Sequence, residues 1–382
     1  MRIRLGTGLL ALALACTLST AEGGVLPDDR ADALYHLYDG GGVEINGPSI
    51  LVRKQAGKST SFVANYYVDM VSSASIDVVS TASPYTEKRT QWSLGMDYLR
   101  GNSTISLGYV SSKESDYDAK TYSISVSQDM FGDLTTLTLS YAKGDDIVGR
   151  SDDPTFARDT QRRDYGIGLT QIFTKNLIAT LNFETITDEG FLNNPYRSVR
   201  YADPGSALGY SYQPELYPRT RTSNAIGLRA KYYLPYRAAL EGEYRYFTDT
   251  WNIESHTMSI GYTHPLGPWT FFGKYRYYDQ VSGASFYSDL FPYENATNFR
   301  GRDKELSPMT SQTLELGASY EFIRADRGGW RWIKKGTANV SLTVFSVDYN
   351  DFHDVTTPAP LGQEPLYHLD ANVLQVFFSF WY

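Results

Sequence analysis

Cysteine is almost missing from this chain: its 382 residues contain one, Cys16. Histidine is scarce as well, at five. Basic residues are outnumbered, 35 Lys and Arg against 43 Asp and Glu, for a net charge of -8. That balance excludes a nucleic-acid partner, since phosphate binding needs a basic face. No internal apolar run reaches the roughly 18–20 residues of a membrane-spanning helix. With a mean hydropathy of -0.36 the chain would pass for a soluble protein. One membrane class escapes that test, the β-barrel, whose strands are apolar only at alternate positions. Aromatics are not lacking: they make up 14% of the chain, with 31 tyrosines, which excludes a disordered polymer.

The scarce residues also limit the chemistry. The histidines are His36, His256, His264, His353 and His368, and no two stand at i, i+2 or i, i+4 as a compact metal motif would require. His36 with Asp39, beside Gly40-Gly41-Gly42, is the most suggestive local group and a weak metal candidate. A hydrogen-bonded structural histidine is the plainer reading. No Gly-x-Ser-x-Gly elbow accompanies Ser255 and His256. The expectation is a protein that is not an enzyme and holds no cofactor, with an outer-membrane hydrolase working at the barrel rim as the remote alternative.

Residues 1–21 read as a secretory signal: Arg2 and Arg4, an apolar stretch from Leu5 to Leu18, and Ser19-Thr20-Ala21 as the cleavage site. Cleavage there removes Cys16, so the mature chain has no thiol for a disulfide or a zinc site. At the other end, Leu374, Val376, Phe378, Phe380 and Tyr382 alternate on one face. This pattern resembles the C-terminal assembly signal of Gram-negative outer-membrane barrels, and it implies contact with the barrel-assembly machinery. In water, such a strand would be an aggregation hazard.

Between the ends lie fourteen segments of alternating character. Examples are Phe62, Ala64, Tyr66, Val68 and Met70; Leu137, Leu139 and Tyr141; and Ala338, Val340, Leu342 and Val344. Short and long connections alternate between them, as in barrels with short periplasmic turns and long extracellular loops. The expected fold is all-β: a transmembrane up-and-down antiparallel barrel of about 14 strands over residues 59–382, with 16 as the alternative. With the first of these strands running outward, Trp92, Tyr109, Tyr122, Tyr141, Tyr165, Phe183, Tyr244 and Tyr277 fall at the outer rim. Tyr98, Tyr232, Tyr262, Trp269, Phe322 and Tyr382 fall at the inner rim. Two aromatic girdles at the two interfaces are what a membrane selects.

The opposite face should line the lumen. In the first half it is small and neutral: Ser123, Ser125, Ser127, Thr136, Thr138 and Ser140. In the second half it carries Arg229, Lys231, Glu241, Glu243, Arg245, Lys274, Arg276, Glu315 and Glu321, with signs alternating from strand to strand. Cross-strand pairing would make this a charge ladder. It serves either to stiffen the wall or to conduct a charged solute.

Residues 22–58 fit the pattern least. They contain the blocks Leu26-Pro27-Asp28-Asp29-Arg30, Leu34-Tyr35-His36-Leu37-Tyr38-Asp39-Gly40-Gly41-Gly42-Val43 and Gly47-Pro48-Ser49-Ile50-Leu51-Val52-Arg53-Lys54. The segment reads as a lumen plug or a periplasmic, partner-binding segment centred on Tyr35, His36, Tyr38, Asp39, Gly40, Gly41 and Gly42. The alternative is one or two further strands.

These blocks together resemble the N-terminal hallmark of a bacterial domain-of-unknown-function family, and the resemblance extends over the mature chain. It implies an outer-membrane β-barrel of a Gram-negative bacterium. It also implies genes for a small lipoprotein, a thioredoxin-like protein and a flavin transferase nearby, hence a loose link to extracytosolic redox or metal physiology. It carries over no catalytic residue. The expected function is passage of a small solute or secreted factor across the outer membrane. The expected surroundings are membrane lipid and lipopolysaccharide. The alternative is a non-conducting scaffold whose N-terminal segment and basic turn (Arg324, Arg327, Arg331, Lys334, Lys335) hold a partner such as that lipoprotein.

Overall fold

The computed structural model describes residues 24–73, 85–324 and 332–382. The signal read at 1–21 and most of the basic turn lie outside these residues. Sixteen antiparallel strands close into one barrel. In chain order they are β1 (Arg30–Gly40), β2 (Val43–Ala56), β3 (Thr60–Ser73), β4 (Tyr85–Arg100), β5 (Ser103–Lys113), β6 (Tyr117–Met130), β7 (Thr135–Gly149), β8 (Ala157–Thr174) and β9 (Leu177–Gly190). After a small separate hairpin, β10 (Ser198–Ala202) and β11 (Tyr210–Pro214), the wall resumes. It continues with β12 (Thr220–Tyr233), β13 (Ala239–Asp249), β14 (Glu254–Leu266), β15 (Trp269–Ser282), β16 (Met309–Arg324), β17 (Lys335–His353) and β18 (Leu366–Trp381). The seam pairs β1 with β18, from Arg30 opposite Trp381 to Gly40 opposite Ala371.

The fourteen segments read from the sequence are β3–β9 and β12–β18. The plug reading of residues 22–58 is corrected: residues 30–56 form β1 and β2, the two strands that make the barrel sixteen-stranded. Three local features hid them. β1 carries Leu34, His36 and Tyr38 on the face opposite Tyr35 and Leu37, so apolar residues occupy both faces and the period of two is lost. Gly47 and Pro48 interrupt the β2–β3 ladder, which skips from Asn46 opposite Met70 to Ser49 opposite Tyr67. The glycine run is a two-residue hairpin loop, with φ of 58° at Gly41 and 75° at Gly42. Two consecutive positive φ values match the twist of antiparallel strands and favour glycine.

The outer face is a continuous apolar belt. Leu139, Ile167, Leu228, Ile260 and Leu316 are each 50–55% exposed. A belt this wide needs a nonpolar surround. Ring contacts run along its upper edge, Trp92 to Tyr109 at 5.0 Å, Tyr109 to Tyr122 at 4.9 Å and Tyr141 to Tyr165 at 5.1 Å. Along the lower edge, Trp269 meets Tyr320 at 4.6 Å and Phe322 meets Phe380 at 6.0 Å. The main buried apolar clusters lie above the belt. One, with Tyr217, Trp251, Ile253, Ala284, Phe286 and Leu306, sits among the outer connections. The other packs Val347, Tyr349 and Phe352 against Tyr287, Met309 and Tyr367.

Candidate functional site

The lumen has two unlike walls. On one, register sets Arg229 opposite Glu243 and Lys231 opposite Glu241 across β12 and β13. Arg229 Nη2 lies 3.2 Å from Glu243 Oε2, and Lys231 Nζ lies 3.1 Å from Glu241 Oε2. Lys274 stands in register with Glu315 but makes its ion pair with Glu243, at 3.6 Å. Arg245 reaches back two strands to Glu184 at 3.1 Å. Arg276 lies over the Tyr278 ring, 5.4 Å from its centre. The cations remain wet: the side chains of Arg229 and Lys231 are 49% and 54% exposed. Exposed pairs of this kind contribute about 0.2–1 kcal/mol each. Their larger effect is the field they set up in the lumen.

The other wall is lined with hydroxyls. Ser127 Oγ and Thr138 Oγ1 lie 2.9 Å apart, as do Thr170 Oγ1 and Thr180 Oγ1. Glycines make room for other hydroxyls on this wall. A Cβ on Gly108 would sit 2.4 Å from Ser123 Oγ, and one on Gly166 would sit 2.3 Å from Ser140 Oγ.

Three long outer connections, residues 191–219, 283–308 and 354–365, fold together as a cap. Residues 283–308 bend toward the inner face of the barrel. There Gln280 Nε2 donates to the carbonyls of Glu305 (3.1 Å) and Ser307 (2.7 Å). Asp303 caps the short 3-10 turn Lys304–Leu306 by accepting from Glu305 N–H. A buried ionic network fastens the cap. Arg200, 1% exposed, donates to Glu364 Oε1 at 2.6 Å and Asp289 Oδ2 at 2.9 Å. Arg302 pairs with the same Asp289 at 2.6 Å and donates to the His353 carbonyl at 3.0 Å. Burial works to raise the Glu364 carboxyl; the Arg200 hydrogen bond overrides it and holds the group below its ordinary value. At the top of β5, burial pushes the Glu114 carboxyl up to about 7, against the pull of Arg89.

Near the upper rim, a polar staple crosses three strands. His36 of β1 stands opposite Gly47 of β2, and Asp69 of β3 lies just beyond, where the β2–β3 ladder is interrupted. His36 Nε2 meets Asp69 Oδ1 at 2.8 Å, and the Tyr67 ring stacks on the imidazole at 5.0 Å. Both partners are buried, at 7% and 3% exposure. The bare Gly47 between them lets the imidazole span a whole strand. Asp69→Ala should leave the buried imidazole with only the Tyr67 hydroxyl, 3.1 Å from Nε2, and lower stability by about 1–3 kcal/mol. Urea unfolding of the purified barrel would measure this, and an unchanged midpoint would show that the staple is idle.

A family with the description "Protein of unknown function (DUF3570)" matches residues 75–163 and 150–332. The chain belongs to this family. The match begins at residue 75, so the N-terminal blocks lie outside it. Comparison with curated proteins finds no match. Among solved structures, the chain is similar to the siderophore receptor PirA of Pseudomonas aeruginosa, with 11% identity and a TM-score of 0.43. The alignment covers 93% of this chain and 63% of that receptor, so the chain spans less than two thirds of its length. A bacterial polysaccharide outer membrane secretin aligns at 8% identity over 94% of this chain and 100% of its own, with a TM-score of 0.48. OccK5 of Pseudomonas aeruginosa aligns at 9% identity over 94% and 99%, with a TM-score of 0.44.

Within this family member, the candidate metal pair His36 and Asp39 is not brought together. Residues three apart on a strand point to opposite faces; His36 is buried on the inner face and Asp39 is exposed on the outer one. Among the described residues, no group of three or more His, Cys, Asp or Glu is placed to hold a metal ion. Tyr35 is 52% exposed, and its hydroxyl donates to Asn46 Oδ1. The Tyr38 ring lies 5.9 Å from that of Phe345. A Cβ on Gly40 would overlap Ala371 of β18, 2.1 Å from its Cβ, so the seam needs glycine there. Leu374, Val376 and Phe378 face outward at 39–44% exposure. Phe380 packs on Phe322, and the Tyr382 hydroxyl donates to the Arg53 carbonyl at 3.0 Å. Glu321 sits low on β16, opposite Thr337. The sequence reading missed Asp69, Glu184 and Arg200. Alternation would have placed the first two inside, Asp69 next to outward Val68 and Met70, and Glu184 next to outward Phe183. Nothing in the local sequence marks Arg200, whose partners lie 89 and 164 residues away.

Proposed function

We propose that this protein lies in the outer membrane of a Gram-negative bacterium and passes small charged or zwitterionic solutes through its lumen, without catalysis. The observation that carries this is the half-exposed, two-signed ion ladder facing inward in a sixteen-stranded wall. Barrels of 16–18 strands leave an aqueous channel. The apolar belt and its two ring girdles support the membrane placement. The cap formed by residues 191–219, 283–308 and 354–365 narrows the outer mouth and limits the size of what enters.

Conductance in planar bilayers tests this reading. The wild-type barrel should conduct, and Glu241→Gln with Glu243→Gln should shift the reversal potential toward anion preference by unmasking Arg229, Lys231 and Lys274. Silence in both the wild type and a cap-loosened variant would refute it.

A second reading rests on a different observation. At the periplasmic end, Asp28, Asp29, Gln55, Lys334, Lys335, Trp381 and Tyr382 line a cavity of about 310 Å³. Lys335 Nζ sits 4.8 Å from the Trp381 ring centre and Lys54 Nζ the same distance from Tyr382. That cavity would suit a segment of a periplasmic or lipoprotein partner, making the barrel a scaffold. Co-purification of such a partner, lost on neutralising Lys334 and Lys335, would favour it.

A further inference from the structure

The outer surface just above the upper girdle is electrically lopsided. On the β4–β8 side, the outward residues beyond Trp92, Tyr109, Tyr122, Tyr141 and Tyr165 include Lys88, Lys113, Lys120, Lys143 and Arg163. On the opposite side the corresponding outward positions hold Asp39, Glu44, Glu254, Asp279, Asp348 and Asp370. The basic side also carries Asp118, opposite Lys113, and Asp145, opposite Lys120, so the two sides differ in net sign; an amphipathic strand pattern alone predicts polar residues at this height, not such a difference.

The basic side has a specific geometry. Lys143 and Arg163 are directly opposite each other in the β7–β8 register, one outward position above the Tyr141–Tyr165 pair. Lys120 stands opposite Asp145, diagonal to Lys143 on the neighbouring strand. Like charges directly opposite each other destabilise a sheet unless an anion is shared between them. Asp145 approaches Lys143 at 3.0 Å, and Glu189 lies 3.8 Å from Arg163. Lys88, Lys113 and Lys120 are exposed, and none has an ion-pair partner among the described residues. Directly below, Ile124, Leu139 and Ile167 present apolar surface, at 43%, 50% and 51% exposure. Ile124, Leu139 and Ile167 lie four residues along their strands from Lys120, Lys143 and Arg163, with Tyr122, Tyr141 and Tyr165 between; four residues cover about 13 Å, so the cations stand at headgroup depth and the aliphatic side chains at acyl-chain depth.

We propose that the outer face of β5–β8 docks a phosphorylated glycolipid of the outer leaflet. Lys120, Lys143 and Arg163 hold its phosphate, and its acyl chains lie along Ile124, Leu139 and Ile167. Guanidinium and ammonium groups give charge-assisted hydrogen bonds to phosphate oxygens, and an anion placed between Lys143 and Arg163 turns their repulsion into a shared attraction. The proposal rests on the outer-membrane placement and not on solute passage.

Native mass spectrometry of the full-length mature barrel in detergent tests it, with a hexa-acylated disaccharide bisphosphate as probe. The wild type should retain this glycolipid at least about tenfold better than the same molecule stripped of phosphate. Lys120→Gln/Lys143→Gln/Arg163→Gln should lose that preference. Glu44→Gln/Asp348→Asn/Asp370→Asn on the acidic side should keep it. Inorganic phosphate at millimolar concentration should not displace the lipid; displacement would mean a site for free phosphate and would overturn the lipid assignment. Equal retention of the two glycolipids by the wild type overturns the proposal without any variant having to fold. A barrel that conducts ions yet ignores the lipid phosphates sinks this proposal alone.

Discussion

Arg200→Ala should open the outer cap while leaving the barrel closed. Arg200 is 1% exposed and is shared by Glu364 and Asp289, which come from two different connections. Its removal leaves Glu364 buried without its cation, while Asp289 keeps Arg302, and breaking a buried pair in this way costs about 3–5 kcal/mol. The cost falls on contacts between loops. The closing seam of β1 with β18 contains none of these residues, so the cap should loosen locally and the barrel should survive. Two readouts check this: faster proteolytic cleavage within 191–219 and 283–308, and a larger single-channel conductance. Arg200→Lys should fall between the two, because a single ammonium cannot reproduce the forked contact with two acids. Unchanged cleavage and conductance in Arg200→Ala would show that the apolar cluster around Trp251 and Phe286 holds the cap without the ions.

Gly47→Ala should prevent assembly. A Cβ at that position would lie 1.8 Å from the Val68 carbonyl oxygen, a backbone atom that no rotamer change can move. Either the β2–β3 ladder separates or the register shifts, and a one-residue slip sends inward residues to the lipid face. The expected result is loss of the compact, heat-modifiable band that a folded barrel gives on an unheated gel. Gly57→Ala is the control. Gly57 has a φ of +74° but nothing within 4 Å of its would-be Cβ, so the cost is backbone strain of about 1–2 kcal/mol and the barrel should form. If Gly47→Ala assembles with wild-type stability, the close approach of β2 and β3 is not required.

The barrel itself was readable because lipid outside and a polar lumen inside impose a period of two, and that period survives in β3–β9 and β12–β18. It fails in β1, where Leu34 and Tyr38 face inward opposite Tyr35 and Leu37. It fails in β2, where Gly47-Pro48 looks like a turn but serves a close strand contact and a staple. The ladder pairs Arg229–Glu243 and Lys231–Glu241 follow from strand order and register, both short-range properties. The Arg200 network does not, because its groups meet only after three separate connections have folded over one another. The His36–Asp69 contact was hidden for a related reason: a side chain that skips a strand is invisible until that strand is recognised.

Among the described residues, the long outer connections lie between β9 and β12, β15 and β16, and β17 and β18. On the other side, the turns at 41–42, 114–116 and 150–156 are short. The described cap therefore sits to one side of the mouth, over the charged wall. The register sets the Thr170–Thr180 hydroxyl pair level with the Arg229–Glu243 ion pair. On the proposed route, an arriving molecule meets serines and threonines, which test its shape and hydrogen bonding, at the same height as the ion columns of β12 and β13. The passage would then read outline and charge together, with two filters facing one another across a single level.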